Sequence, residues 1–316
     1  MATKPKRGRC ERWGKPRANV RDWLKYNEQL VVRGEFLLDV EWVKNWDKEL
    51  ATMNHDKRGR PFQFPHSLIE LQAVWNQWVG VRAVEGLTRK LVEFSRLPAF
   101  DDYSTINRRI SKIDAAIELP KEGFCSVSTD GTGIKMHHAG EYRQQKYRTK
   151  KRRWIKITMS ANPLTKDLLA VEVSLDGEGQ SEPDIAEEHM KMLHKNGKEI
   201  LKFWGDGAFD KIKFFNWLDQ HNIESAIPPR DNASTNANGS MRRLREVFDY
   251  KTQSWNDWAM EKQYGKRWLG TEVMFSAVKG IFGEDTRAKN PISACQEAKR
   301  KFWAYHRMKR YAITKV

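Results

Sequence analysis

The stretch Phe124–His138, FCSVSTDGTGIKMHH, constrains the chain more than any other. Up to Asp130 it alternates as a strand does. Phe124, Ser126, Ser128 and Asp130 share one face, and Cys125, Val127 and Thr129 the other. Gly131 and Gly133 then remove two side chains where the backbone must pass close to something or change course. A carboxylate on the polar face of a strand beside two glycines has two readings. One is a turn aspartate bonding its own backbone. The other is a metal ligand on a rigid strand, which requires partner carboxylates further along the chain.

The sequence after this strand offers such partners. Ile155, Ile157 and Met159 alternate in a second strand, Asn162-Pro163 marks a turn, and Leu168–Ser174 reads as the returning strand. Short connections make these three an antiparallel meander. Glu182–Lys195 reads as a helix, Ile200–Gly205 as an apolar strand that ends at Asp206, Lys211–Gln220 as a helix and Ser225–Ile227 as a last strand before Pro228-Pro229. Strand–helix–strand requires parallel pairing and a right-handed crossover. Helical sequence, including Thr271–Ile281 and Ser293–Arg310, follows an Asn-rich loop. Three antiparallel strands, two more with helical crossovers and a C-terminal helix are the layout of the ribonuclease-H-like fold. The fold class expected is therefore α/β, with a mixed five-stranded sheet flanked by helices. The first and fourth strands of such a sheet are neighbours, which brings Asp130 beside Asp206. Two like charges side by side call for a cation. Two divalent ions held about 3.5–4 Å apart can activate a nucleophile and stabilise the leaving oxygen of a phosphodiester. Hard oxygen ligands without a cysteine or histidine cluster point to Mg²⁺ or Mn²⁺. The third carboxylate must come from the C-terminal helical sequence. Asp210, a little beyond Asp206, reads as the cap of the following helix.

Before Leu119-Pro120 the chain reads as helical. Met1–Arg21 is a basic arm or a solubilising tail. Helical pattern begins at Asp22, and the loop Asn54–Pro61 carries Lys57, Arg58 and Arg60, which suit phosphates as well as solvent. Leu68, Leu71, Trp75 and Trp78 line one helix, and Val84, Leu87, Leu91 and Phe94 a second. A third opens at Tyr103-Ser104-Thr105, where a hydroxyl can cap it, and carries Asn107, Arg108, Arg109 and Lys112. This is the outline of a helix-turn-helix whose Ser104–Lys112 helix meets a DNA groove, or of a plain bundle with a basic face. The expected division is 1–62, 63–120 and 121–316: arm and first helices, DNA-binding region, catalytic domain.

Charge narrows the partner. The formal net charge is +16 with a pI near 9.7, well beyond what solubility needs, and fits a long polyanion. The run Glu141–Lys156 holds Arg143, Lys146, Arg148, Lys150, Lys151, Arg152, Arg153 and Lys156 against one acid. No apolar run spans a bilayer and no secretory signal opens the chain, so no membrane partner is expected. Cys10, Cys125 and Cys295 are scattered, which argues against a disulfide framework or zinc site and for a reducing compartment.

Five blocks in order, SVSTDGTGIKM, RRWIKITMSANPLTKDLLAVEVS, WGDGAFD, AIPPRDNA and TEVMFSAVKGIFGE, resemble the motifs of IS5-type insertion-sequence transposases. DWLKYNEQLVVRGEF and KRGRPFQFPHSLIELQAVWNQWVGVRAVEGL resemble the same group, so the resemblance covers nearly the whole chain. It implies a DDE transposase whose catalytic and metal-holding triad is Asp130, Asp206 and Glu272, with two Mg²⁺ or Mn²⁺ ions. It implies DNA as partner, both terminal inverted repeats and target, a homodimer on DNA, and a cytoplasmic location with nucleoid association when bound. Arg152, Arg153, Arg230, Arg267 and Lys279 are the expected DNA contacts of the catalytic domain, beside Asn107, Arg108, Arg109 and Lys112 before it. Lys279 lies seven residues beyond Glu272, hence on the same helical face. Tyr264 and Arg267 keep the family's mutual spacing but stand one residue upstream of its places, where Gly265 and Trp268 stand instead. A structure-specific nuclease on the same fold and a non-catalytic DNA-binding derivative are the rival readings.

Overall fold

The computed structural model describes residues 22–121, 123–137, 146, 154–236 and 239–316. The arm Met1–Arg21 and most of the basic run, Arg152 and Arg153 included, lie outside the described residues. Contacts divide the chain into two units. One comprises Ile117–Ile134 with Glu141–Gly280, and the other Arg21–Ala116 with Lys135–Gly140 and Ile281–Val316.

The first unit is built on β1 (Phe124–Lys135), β2 (Trp154–Ala161), β3 (Leu168–Leu175), β4 (Glu199–Trp204) and β5 (Glu224–Ala226). They form one sheet in the order β3-β2-β1-β4-β5. β2 and β3 are antiparallel, in register from Ile155 opposite Leu175 to Ala161 opposite Leu168. Asn162 turns the chain between them: its Oδ1 accepts from Leu164 N at 3.0 Å, and its N–H donates to the Asp167 carbonyl at 2.8 Å. β1 pairs with β4, and β4 with β5, both in parallel. This mixed sheet has the expected ribonuclease-H-like order, with the first and fourth strands adjacent.

Parallel neighbours need a crossover, and helices provide it. Helix α6 (Glu182–Lys195) follows β3, and α7 (Ile212–Gln220) joins β4 to β5. Their apolar faces close on one face of the sheet. Cys125 and Val127 of β1 and Ile200 and Phe203 of β4 meet Met190, Leu193, Phe214, Phe215 and Leu218 of the helices. The rings of Phe203, Phe209 and Phe214 pack with centroids 5.0–5.6 Å apart. Trp204 is Phe203's neighbour in the strand, so the pleat turns it to the opposite face. There it packs with Ala226, Trp258, Ala259 and Tyr264. Trp258 belongs to α9 (Trp255–Glu261), which follows α8 (Met241–Thr252). Several of the chain's tryptophans are thus packing residues of this second layer.

Helix α10 (Arg267–Phe282) starts in the same layer, after a tight turn at Tyr264–Lys266. Gln263 opens that turn with a left-handed backbone, φ 54°, and its carbonyl accepts from Trp204 Nε1 at 3.2 Å. Ser128 Oγ of β1 donates to the Arg267 carbonyl at 3.1 Å. A Cβ at Gly270 would stand 3.2 Å from Pro163 Cα, so the missing side chain lets α10 rest on the β2–β3 turn. Three points of the sheet therefore fix where α10 begins.

The second unit is helical: α1 (Trp23–Glu35), α2 (Trp46–Asn54), α3 (His66–Trp75), α4 (Val81–Glu93), α5 (Tyr103–Ile110) and α11 (Pro291–Lys315). Helix α11 packs on α1 and α3. Arg307 pairs with Glu70 at 3.0 Å, and Arg300 Nη1 donates to the Ile110 carbonyl at 3.4 Å. The contacts thus divide the chain differently from the expected 1–62, 63–120 and 121–316, because the last helix joins the early ones. Two local expectations are also corrected. Helix α5 is capped by Asp102, which accepts from the backbone N–H of Ser104 and Thr105, and not by a hydroxyl. Helix α4 buries Val84, Glu85 and Thr88, while Leu87 and Phe94 are exposed. The reason is that Glu85 accepts from Tyr103 N at 2.8 Å, which turns a partly polar face inward.

Gly205 gives a test of this packing. A Cβ there would lie 2.7 Å from Phe209 and 2.8 Å from Phe203, both fully buried rings with nowhere to go. Gly205→Ala should destabilise the protein by about 1–3 kcal/mol, read as a lower urea midpoint. An unchanged midpoint would mean that the two rings have slack.

Candidate active site

The pairing of β1 with β4 positions the two aspartates. Cys125 lies opposite Ile200, but Ser126 lies opposite Lys202, so Leu201 is an extra residue on β4. After this bulge Ser128 faces Trp204. Two residues beyond each partner stand Asp130 and Asp206, and the extended backbone of Asp206 (φ −85°, ψ −175°) carries the alignment past the end of β4. Without the bulge Asp130 would fall opposite Gly205, and a one-residue slip moves a side chain to the other face.

Each aspartate also holds its own turn. Asp130 Oδ1 accepts from Gly131 N at 2.9 Å, and Asp206 Oδ1 accepts from Ala208 N at 2.8 Å. Both readings of Asp130 are therefore compatible, since one oxygen serves the backbone and Oδ2 faces Arg267 Nη1 at 3.5 Å. Burial raises the pKa of Asp130. Arg267 and the Gly131 N–H pull it back, and the carboxylates of Asp206 and Glu182 push it up again. Asp206 and Glu182 thus act on Asp130 in a half-buried corner, where Arg267 faces Asp130 and Lys156 pairs with Glu182. The two aspartates are hard oxygen donors of like charge, a pair that a divalent cation could neutralise.

Glu182 has no place in the sequence reading. It stands at the start of α6, and its Oε1 lies 2.9 Å from Lys156 Nζ. A Cβ on Gly131 would come within 2.6 Å of that same oxygen. Gly131 is thus bare because a carboxylate occupies the space a side chain would fill. An acidic residue in a helix's first turn has an ordinary explanation in the helix dipole, so the sequence carries no further signal of it.

The one-residue offset of Tyr264 and Arg267 does not take them away from the aspartates. The surplus residue lies between Arg267 and Glu272, inside the first turns of α10, which begins at Arg267. The guanidinium of Arg267 lies 5.7 Å from the ring centroids of both Tyr264 and Trp268. Its side chain is only 12% exposed, which commits it to Asp130 and the rings. Burial pushes the Tyr264 phenol up to about 12, with Arg267 lowering it and Asp206 and Asp130 raising it. Glu272 lies further along α10 and is exposed. Among the described residues no group of three His, Cys, Asp or Glu side chains is gathered closely enough to hold a metal ion. The structure brings Asp130 and Asp206 together and leaves Glu272 apart. Lys279 is half-buried and Arg230 exposed.

Asp210 does not cap α7, whose N-cap is Lys211. It is fully buried and accepts from Arg243 Nε at 2.5 Å, Arg243 Nη2 at 2.9 Å and Arg230 N at 2.9 Å. Arg230 Nε in turn donates to the Gly207 carbonyl at 3.2 Å. These bonds clamp the loop that carries Asp206. In the helical unit, Asn107, Arg108 and Lys112 are exposed. Arg109, expected beside them at a base edge, turns instead into its own chain. It donates to the Phe64 carbonyl at 3.0 Å and lies 4.8 Å over the Phe62 ring.

The sequence model of the family described as "Transposase DDE domain" matches residues 123–306, and a second model with the same description matches residues 31–139. Among solved structures the chain is similar to the "Drosophila P element transposase strand transfer complex" at 9% identity, over 87% of this chain and 86% of that one, with a TM-score of 0.30. It is also similar to the "piggyBac transposase synaptic complex with hairpin DNA" at 11% identity, over 91% and 81%, with a TM-score of 0.27.

The clamp on Asp210 has a measurable cost of removal. Burial alone would raise the pKa of Asp210, but the Arg243 and Arg230 bonds outweigh it and leave it lowered. Its contribution to stability is therefore present above the ordinary aspartate pKa and is lost as pH falls through the lowered one. Arg243→Ala leaves that charge buried and unpaired and should cost about 3–5 kcal/mol at neutral pH. The loss should shrink in acid, and denaturant titrations at neutral and acid pH measure both.

Proposed function

The chain belongs to the transposase DDE family, and we propose that it is the transposase of an IS5-type insertion sequence. It binds the terminal inverted repeats, hydrolyses the phosphodiester at the element ends and joins the freed 3′-hydroxyl to target DNA. The family implies polynucleotidyl transfer. The observation that carries the reading is the β1–β4 register, which sets Asp130 beside Asp206 inside the span matched by the family.

In this reading Asp130, Asp206 and Glu272 would hold two Mg²⁺ or Mn²⁺ ions, which would supply charge neutralisation and Lewis acidity at the scissile phosphate. Arg267 keeps Asp130 turned toward the site, and the Asp210–Arg243 pair keeps the Asp206 loop in place. Tyr264, its pKa near 12, remains a neutral phenol at physiological pH. Catalysis is then a matter of positioning and electrostatic stabilisation, with water and the DNA 3′-oxygen as successive nucleophiles. Lys279, Arg152, Arg153 and Arg230 take backbone phosphates. Asn107, Arg108 and Lys112 of the helical unit meet the element ends. The net charge of +16 supports DNA as the partner. The protein works as a homodimer on DNA, in the cytoplasm and on the nucleoid. Among the described residues no helix is long and apolar enough to cross a membrane.

The position of Glu272 apart from the aspartates favours one second reading, a DNA-binding protein derived from a transposase and no longer catalytic. One assay separates the two: cleavage and joining of DNA carrying the flanking ends of the protein's own locus, with Mg²⁺ or Mn²⁺. Asp130→Asn, Asp206→Asn and Glu272→Gln should each slow cleavage at least about a hundredfold with DNA binding retained. Cleavage that survives any one of them removes that residue from the triad. Absence of cleavage by the unaltered protein supports the second reading, and cleavage without joining indicates a nuclease.

A further inference from the structure

The helical unit contains a cavity of about 800 Å³, lined by none of the residues assigned to catalysis. It lies among the Arg60–Phe64 loop, Phe100–Asp102 and helix α5. That volume falls within the usual range for small-ligand sites. Its chemistry is unusual in three ways that converge on one kind of ligand.

The first is aromatic surface. Phe62, Phe64 and Phe100 line the cavity, and Phe62 and Phe100 remain 37% and 41% exposed. Guanidinium groups already layer on two of these rings, Arg109 4.8 Å from Phe62 and Arg89 5.1 Å from Phe100. The second is charge: Arg60, Arg108 and Lys112 also line it, and all three are exposed. The third is a buried acceptor without a partner. Asp101 lines the cavity and is 1% exposed. Its Oδ1 accepts from Gln72 Nε2 at 2.5 Å, while its Oδ2 is buried with no hydrogen bond. A buried acceptor left unmade is costly, so a donor brought into the cavity beside it would be favoured.

A flat ring to stack, an N–H for a buried carboxyl oxygen and a phosphate for exposed cations are together the description of a nucleotide. We propose that this cavity receives an unpaired nucleobase of the bound DNA. The base stacks on Phe100 and donates an edge N–H to Asp101 Oδ2, and its flanking phosphates lie on Arg60, Arg108 and Lys112. The inference rests on the reading of the chain as a DNA-acting protein and gives α5 a second role there. Besides presenting Asn107 outward, the helix forms one wall of a site for a base taken out of the helix stack. Arg109, withdrawn from base reading, fits this role because it braces the Phe62 wall.

The test uses the full chain and two duplexes of identical sequence, one fully paired and one with a single unpaired adenine. Fluorescence anisotropy reads both affinities. The unaltered protein should prefer the duplex with the unpaired base by about tenfold, as expected for one stacked base. Phe100→Ala and Asp101→Asn should each abolish that preference and leave affinity for the paired duplex unchanged. Phe100 is exposed, so its truncation leaves the fold intact even if the Asp101 variant proves unstable. Equal binding of both duplexes, or a preference that survives Phe100→Ala, overturns the cavity's assignment and leaves the transposase reading standing. Binding of neither duplex overturns both.

Discussion

The parallel pairing of β1 with β4 is the contact on which the candidate site depends. One surplus residue, Leu201, decides which side chain of β4 stands opposite which of β1. The effect propagates to the ends of both strands, where Asp130 and Asp206 stand. Everything around that pair is arranged to hold it. The apolar face of the same two strands anchors them on α6 and α7 through Val127 and Phe203. The opposite face receives Tyr264 and the start of α10. A strand pair buried on both faces cannot slide by one residue without exposing a core row, so the register is protected by hydrophobic burial on both sides.

Electrostatics then work against the packing. Burial raises the pKa of Asp130 first of all; Asp206 and Glu182 add repulsion, which Arg267 beside Asp130 and Lys156 beside Glu182 oppose. The loop bearing Asp206 is held from behind by the buried Asp210–Arg243 pair, so strain at the front does not reach the backbone. Sites that concentrate like charge are less stable than the same fold without it, and are kept where a cation or a phosphate makes use of the charge.

How much of this the sequence disclosed depended on distance along the chain. Alternation in β1, β2 and β3 is a local signal, so the strands and the neighbouring aspartates were legible from the residues. The clamp on Asp210 was not, because Arg243 lies on a later helix with nothing in its own surroundings to mark it. Gly131 announced a close approach but not the identity of the group, Glu182, that makes it. In α4 the hydrophobic pattern pointed to the face bearing Leu87 and Phe94, yet Glu85, bound to the Tyr103 N–H, decided the orientation. Periodicity counts apolar groups and is blind to a hydrogen bond such as this one between side chain and backbone. The offset of Tyr264 and Arg267 likewise looked like a defect in sequence, yet Arg267 still faces Asp130.

The return of α11 to the early helices makes the helical unit discontinuous. Its chain departs after Ala116, threads the sheet unit, and completes itself only with Ile281–Val316. Phe302, Trp303 and Ala304 are buried within that unit. During synthesis α1 and α3 therefore emerge long before the helix that covers them, and their apolar faces must wait, shielded or sticky, until the ribosome has finished the sheet. Closing so long a loop is entropically slow. The nested sheet unit, whose own contacts are nearer in sequence, can be in place first and bring the two halves within reach of each other. A gene cut in two at the apparent boundary near Leu119 would yield one half lacking its cover, and another in which the sheet unit carries a helical cover with nothing beneath it.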